Sequence, residues 1–108
     1  MTDKEVADML KETGLPTVYY QYPIKMVPPL PYTVYYYPNT DNFGADDKVY
    51  TKISSLNVEL YTAKKSPAIE AQVEAVLESH NLFWNKTEAF LDSENMYEVL
   101  YEMEIING

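Results

Sequence analysis

VYYQYPIKMVPPLPYTVYYYP, residues 18–38, decides how this chain is read. Seven of the eleven tyrosines and five of the seven prolines lie here. β-Branched and aromatic residues favour a pleated, half-buried strand. Consecutive prolines remove backbone donors and favour extended loops. The segment therefore reads as two tyrosine-rich strands, residues 17–22 and 32–37, around a stiff loop over residues 23–31. Side chains alternate across a strand. Tyr19, Tyr35 and Tyr37 thus cannot all share a face with Tyr20 and Tyr36. One set belongs to a core, and the other is free for contact. Tyrosine suits such a surface because it buries a large ring and keeps a polar tip. The residues expected to form it are Pro28, Pro29, Leu30, Pro31, Tyr35 and Tyr37.

Upstream, Thr2 and Glu5 fit a capping box. Val6, Met9 and Leu10 follow at helical spacing, Gly14 is a stop, and Pro16 forbids continuation. Downstream, residues 39–47 (NTDNFGADD) form a turn-rich acidic loop, whose Phe43, Asp46 and Asp47 are further contact candidates. Residues 48–62 read as one long strand in which Leu56, Val58 and Leu60 alternate with Asn57, Glu59 and Tyr61. Ser66 and Pro67 open a second helix. Its Ile69, Val73, Val76, Leu77 and His80 share one face, and Asn81 can close it. Glu70, Glu74 and Glu78 read as the opposite, solvated stripe. Residues 83–91 and 96–106 form a closing hairpin. In its last strand Tyr97, Val99, Tyr101, Met103 and Ile105 alternate with Glu98, Glu102 and Glu104. The order is α-β-β-β-α-β-β in one domain, residues 1–108. The expected class is α+β: a five-stranded, mostly antiparallel sheet with two helices packed on one face.

The balance of 17 acids against 8 lysines, with no arginine, argues against direct nucleic-acid recognition. Residues 1–54 carry net −2 and residues 55–108 net −7. The absence of cysteine excludes thiol catalysis and thiolate metal sites. The opening MTDKEVADML resembles neither a signal peptide nor a membrane anchor.

Catalytic constellations are not expected. His80 is the single histidine and reads as a capping or packing residue at a helix end. Asp41, Asp46 and Asp47 lack the offsets of a calcium loop. Pro28–Pro31 matches a loose PxxP pattern but lies between strands. No nucleophile–base pair can be assembled, so the expectation is a protein that is not an enzyme and carries no cofactor or metal.

Several segments together resemble a known family. These are the entry PPLPYTVYY, the strand SSLNVELYTAKK, the helix SPAIEAQVEAVLES and the closing MYEVLYEMEI. The pattern, from about Lys11 to Ile105, is similar to the tail-completion proteins of long-tailed bacteriophages, the tail-terminator and tail-to-head joining group. The resemblance implies a structural virion protein. It would form a ring, hexameric in the family, on the tail tube and present a surface to the head connector. Its partners would then be copies of itself, the tail-tube protein and the head-connector protein, with assembly in the host cytoplasm and no role for membrane or sequence-specific nucleic acid. The chain would be a monomer in isolation if the ring forms only on a tube end. Glu98, Glu102 and Glu104 are candidates to face a channel that passes DNA, since carboxylates repel phosphate. Alternative readings are another neck, head-completion or tail component, or a cytosolic protein-binding or inhibitor module.

Overall fold

Thr2 starts the first helix, α1 (Asp3–Lys11), through the expected capping box: its hydroxyl accepts from the Glu5 N–H, and the Glu5 carboxylate accepts from the Thr2 N–H. The chain turns out of α1 at Gly14, whose φ of +78° lies in the left-handed region that favours glycine. A computed structural model describes the backbone of residues 1–40, 43–45 and 48–107, and the side chains of residues 1–40 and 52–106. Six strands follow: β1 (Thr17–Tyr19), β2 (Tyr32–Tyr36), β3 (Phe43–Ala45), β4 (Lys48–Thr62), β5 (Trp84–Leu91) and β6 (Met96–Asn107). Helix α2 (Pro67–Ser79) lies between β4 and β5. The Ser66 hydroxyl caps it, accepting from the Ile69 N–H at 3.3 Å. Asn81, at φ +61°, turns the chain out of it.

The main sheet has the order β1-β2-β4-β6-β5, and β3 pairs only with the start of β4. The β2–β4, β4–β6 and β5–β6 pairs are antiparallel. The class is α+β with a largely antiparallel five-stranded sheet, as the periodicity indicated. Strand β1 is the exception and runs parallel to β2, with Thr17, Val18 and Tyr19 opposite Thr33, Val34 and Tyr35. Parallel neighbours need a crossover, and residues 20–31 supply it. The crossover carries a 3₁₀ turn at Ile24–Met26 and a cis Leu30–Pro31 peptide. β1 stops three residues short of the expected end because Tyr20 takes φ +71°, with Gln21 N–H bonded back to the Tyr19 carbonyl at 2.9 Å. Such a γ-turn reverses the chain within three residues.

Both helices cover one face of the sheet. Val6, Met9 and Leu10 of α1 and Val73 and Leu77 of α2 pack on Leu56, Val58 and Leu60 of β4 and on Val99, Tyr101, Met103 and Ile105 of β6. Register aligns these strand positions, with Val58 opposite Tyr101 and Leu60 opposite Val99. The Gln72 amide donates to the Thr13 carbonyl and ties α2 to the end of α1. His80 Nε2 lies 3.0 Å from the Glu12 carboxylate, a packing contact between helix ends.

The glutamates of α2 depart from the solvated stripe expected for them. Only Glu78 is exposed. Glu70 is 3% exposed, and its Oε1 accepts from Lys65 at 3.1 Å and Lys86 at 3.0 Å. Its Oε2 lies 2.8 Å from Lys65 Nζ, an ion-pair contact without hydrogen-bond geometry. Glu74 accepts from Lys86 at 2.8 Å and from the buried Tyr101 hydroxyl at 2.7 Å. Lys65 also reaches Glu88. The cause is tertiary: Lys86 of β5 stands opposite Tyr101 on the helix-covered face, directly under α2. Burial pushes the Glu70 carboxyl up, but the two lysine bonds outweigh it and hold its pKa below the ordinary value.

Candidate functional site: the uncovered face of the sheet

Alternation places a second set of side chains on the opposite face. Rows across the strands read Tyr32–Tyr61–Glu98–Ala89, Val34–Glu59–Leu100–Thr87 and Tyr36–Asn57–Glu102–Asn85. Ser55 and Glu104 continue the pattern. No helix packs here. The described positions of this face in the five main strands hold four glutamates, Glu59, Glu98, Glu102 and Glu104, and no lysine. Among the described residues none of the four has an ion-pair partner.

The tyrosines divide as alternation requires. Tyr19, Tyr35 and Tyr37 cluster on the helix side, with ring centroids 5.3–6.3 Å apart. Tyr20 and Tyr36 meet on the other side at 6.0 Å. Neither set as a whole is free. Tyr35 is 6% exposed and belongs to the core, because α1 covers the face that it occupies. Tyr37 is half-buried, and its hydroxyl donates to Asp3 at 2.7 Å. Among the described tyrosines the exposed rings are Tyr19 and Tyr20, one from each set. Pro29 is exposed, whereas Pro28, Leu30 and Pro31 are half-buried. Leu30 and Pro31 border a shallow apolar groove with Ala63 and Ile69. The expected contact residues Phe43, Asp46 and Asp47 have side chains outside the described residues.

The channel candidates separate along β6. Glu102 and Glu104 are exposed, and with Asn39, Asn57 and Asn85 they line an open groove of about 570 Å³ rimmed by exposed Phe83. Glu98 is half-buried at the other end of the face. There Tyr61 Oη stands 3.0 Å from both Glu59 Oε1 and Glu98 Oε2. A phenol has one proton, so it can serve only one of two ionised carboxylates at a time. Burial raises the Glu59 pKa; the Tyr61 hydrogen bond opposes the rise, and the Glu98 charge adds to it. Burial and the same two carboxylates raise the Tyr61 hydroxyl.

The crossover between β1 and β2 folds over this end. Tyr20, Tyr22 and Val27 approach Tyr32, Val34, Glu59 and Tyr61 and leave an open pocket of about 270 Å³, bordered on the hairpin side by Glu94 and Met96. Tyr22 meets Tyr32 edge-on at 5.3 Å, and Tyr32 meets Tyr61 at 5.3 Å. The Tyr22 hydroxyl is withdrawn from solvent without a hydrogen-bond partner. Periodicity had put Tyr22 in a strand. Its position on the crossover follows from the turn at Tyr20, which residue type does not announce.

No helix among the described residues is long and apolar enough to cross a membrane. Among the described residues no group of three or more His, Asp and Glu side chains converges as metal ligands do. No family model matches the chain, and no curated protein matches it.

Proposed function

We propose that this chain is a structural protein of a long-tailed phage virion, which caps the tail tube and joins tail to head as a subunit of a ring. The observation that carries the reading is the four-glutamate, lysine-free face of the sheet. Folding does not require it, because the apolar core and the paired charges lie on the helix side. A surface that passes DNA must not bind phosphate, and unneutralised carboxylates with no adjacent cation repel it. Glu102 and Glu104, exposed at the open end, are the residues assigned to that lining. Ring closure needs heterologous contacts between unlike surfaces. Exposed Tyr19, Tyr20, Ile24 and Met26 on one side, and Phe83 and Phe90 near the opposite edge strand, supply two such surfaces. The partners are copies of the chain, the tail-tube protein and the head connector.

The test is electron microscopy of assembled tails carrying an epitope-tagged copy of the chain. Label is expected only at the head-proximal end. Tails of normal length and head-joining competence that lack the protein would overturn the reading.

A further inference from the structure

The cavity beneath the β1–β2 crossover carries a more specific inference, which stands whether or not the chain belongs to a virion. Its walls are the rings of Tyr20, Tyr22, Tyr32 and Tyr61, and its acidic lining is Glu59 and Glu94. Glu98 stands behind, on the Tyr61 hydroxyl. No lysine lines it. Aromatic faces attract cations through the ring quadrupole. A half-buried carboxylate without a cationic partner leaves an electrostatic debt that a positive charge settles. At about 270 Å³ the space falls below the ~300–1,000 Å³ range of small-molecule pockets and matches a single side chain.

We infer that this cavity is a docking site for a basic side chain, arginine or lysine, presented by a partner polypeptide. The alkyl stem lies along Val27, Val34 and Met96, and the cationic head reaches Glu59 beside the contacting rings of Tyr32 and Tyr61. The N–H groups of the head donate to the Glu59 carboxylate. The Tyr61 proton is then free to serve Glu98, so both carboxylates are satisfied at once. Glu104 lies six positions beyond Glu98 along β6, roughly 20 Å at strand rise. The docking end and the open acidic end of the face are therefore distinct.

The test is an NMR titration of the ¹⁵N-labelled chain with acetyl-Gly-Arg-Gly-amide and with its citrulline isostere, which keeps shape and loses charge. Saturable shifts confined to residues 20–34, 59–61 and 94–98 are expected with the arginine peptide, in the millimolar range of a single contact. The citrulline peptide should bind at least about tenfold more weakly. Glu59→Gln should weaken arginine binding to a similar degree. Glu94→Gln, an exposed turn position, provides a second variant should Glu59→Gln disturb folding. Equal binding of the two peptides, shifts centred elsewhere, no saturable shift, or arginine binding unaffected by both variants would each overturn the inference.

Discussion

Replacing Glu70 by Gln tests whether the charge network under α2 is a working part of the fold. The carboxylate is 3% exposed and holds two lysines whose side chains are 40% and 37% exposed. Hydrogen bonds to a charged group contribute about 1.5–3 kcal/mol each, and removing one partner of a buried pair costs about 3–5 kcal/mol when the other is left stranded. Here the lysines are not stranded. Both reach water, Lys86 keeps Glu74 and Lys65 keeps Glu88. Glutamine also preserves shape and one accepting oxygen. The expected cost at pH 7 therefore falls to the low end, about 1.5 kcal/mol. With an unfolding entropy of roughly 0.23 kcal/mol/K for 108 residues, that lowers Tm by about 6 °C. The pH dependence separates this cause from a packing defect. The folded pKa of Glu70 lies below its ordinary value of 4.5, so its contribution is complete above 4.5 and is lost as pH falls through the folded value. The gap between wild type and Glu70→Gln should be full at pH 7 and narrow once pH falls below 4.5 toward the folded value. Urea midpoints followed by Trp84 fluorescence report it, since Trp84 packs edge-on against Tyr101 at 5.5 Å within the same layer. Equal midpoints at pH 7, or a gap that does not narrow at any acid pH where the wild type stays folded, would refute the argument.

Two further predictions concern single positions. Gly14→Ala should cost about 1–2 kcal/mol in the same unfolding assay, because alanine resists φ +78° while its added Cβ would meet only Gln72 Nε2 at an ordinary 3.6 Å. Glu59→Gln should stabilise the fold at pH 7 by about 0.5 kcal/mol, the scale of a cross-strand like-charge pair. The folded pKa of Glu59 is raised, so the wild type is at its best below the ordinary carboxylate value and loses that stability as pH rises through the folded value. The advantage of Gln should accordingly vanish near pH 4, and thermal melts at both pH values check it.

The architecture was legible where local chemistry and tertiary packing agree. The bounds of β4, the Ser66 cap, the Asn81 exit and the division of the tyrosines into two sets all follow from residue type and period. Three features were not legible, each for a physical reason. Strand direction leaves no trace in alternation, so the parallel β1–β2 pair was invisible. Tyr20 adopts a conformation that its residue type disfavours, held by its N–H bond to the Tyr35 carbonyl at 2.7 Å. The Glu70 and Glu74 positions look solvated on a helical wheel, because the lysine that satisfies both arrives from β5, 12 and 16 residues later. The burial of Tyr35 was likewise decided by α1, a partner from a distant part of the chain.

The two faces of the sheet settle their charges differently, and the difference bears on function. On the helix side Glu70, Glu74 and Glu88 each meet a lysine, and Tyr101 closes the network with its hydroxyl. On the uncovered side Glu59 and Glu98 share a single phenolic proton, and Glu102 and Glu104 stand without a described partner. A chain with eight lysines had the means to neutralise both faces. Like charges on one surface lower stability, so folding alone gives no reason to concentrate carboxylates there. The compensation must come from outside the chain or be withheld because repulsion is useful. The pocket end, with its rings and half-buried Glu59, fits the first case, and the open groove at Glu102 and Glu104 fits the second. Neutralising the two ends separately should therefore produce different losses. Glu59→Gln should weaken capture of a basic side chain about tenfold and leave the open end intact. Glu102→Gln with Glu104→Gln should leave that capture unchanged and weaken the repulsion of DNA at the open end.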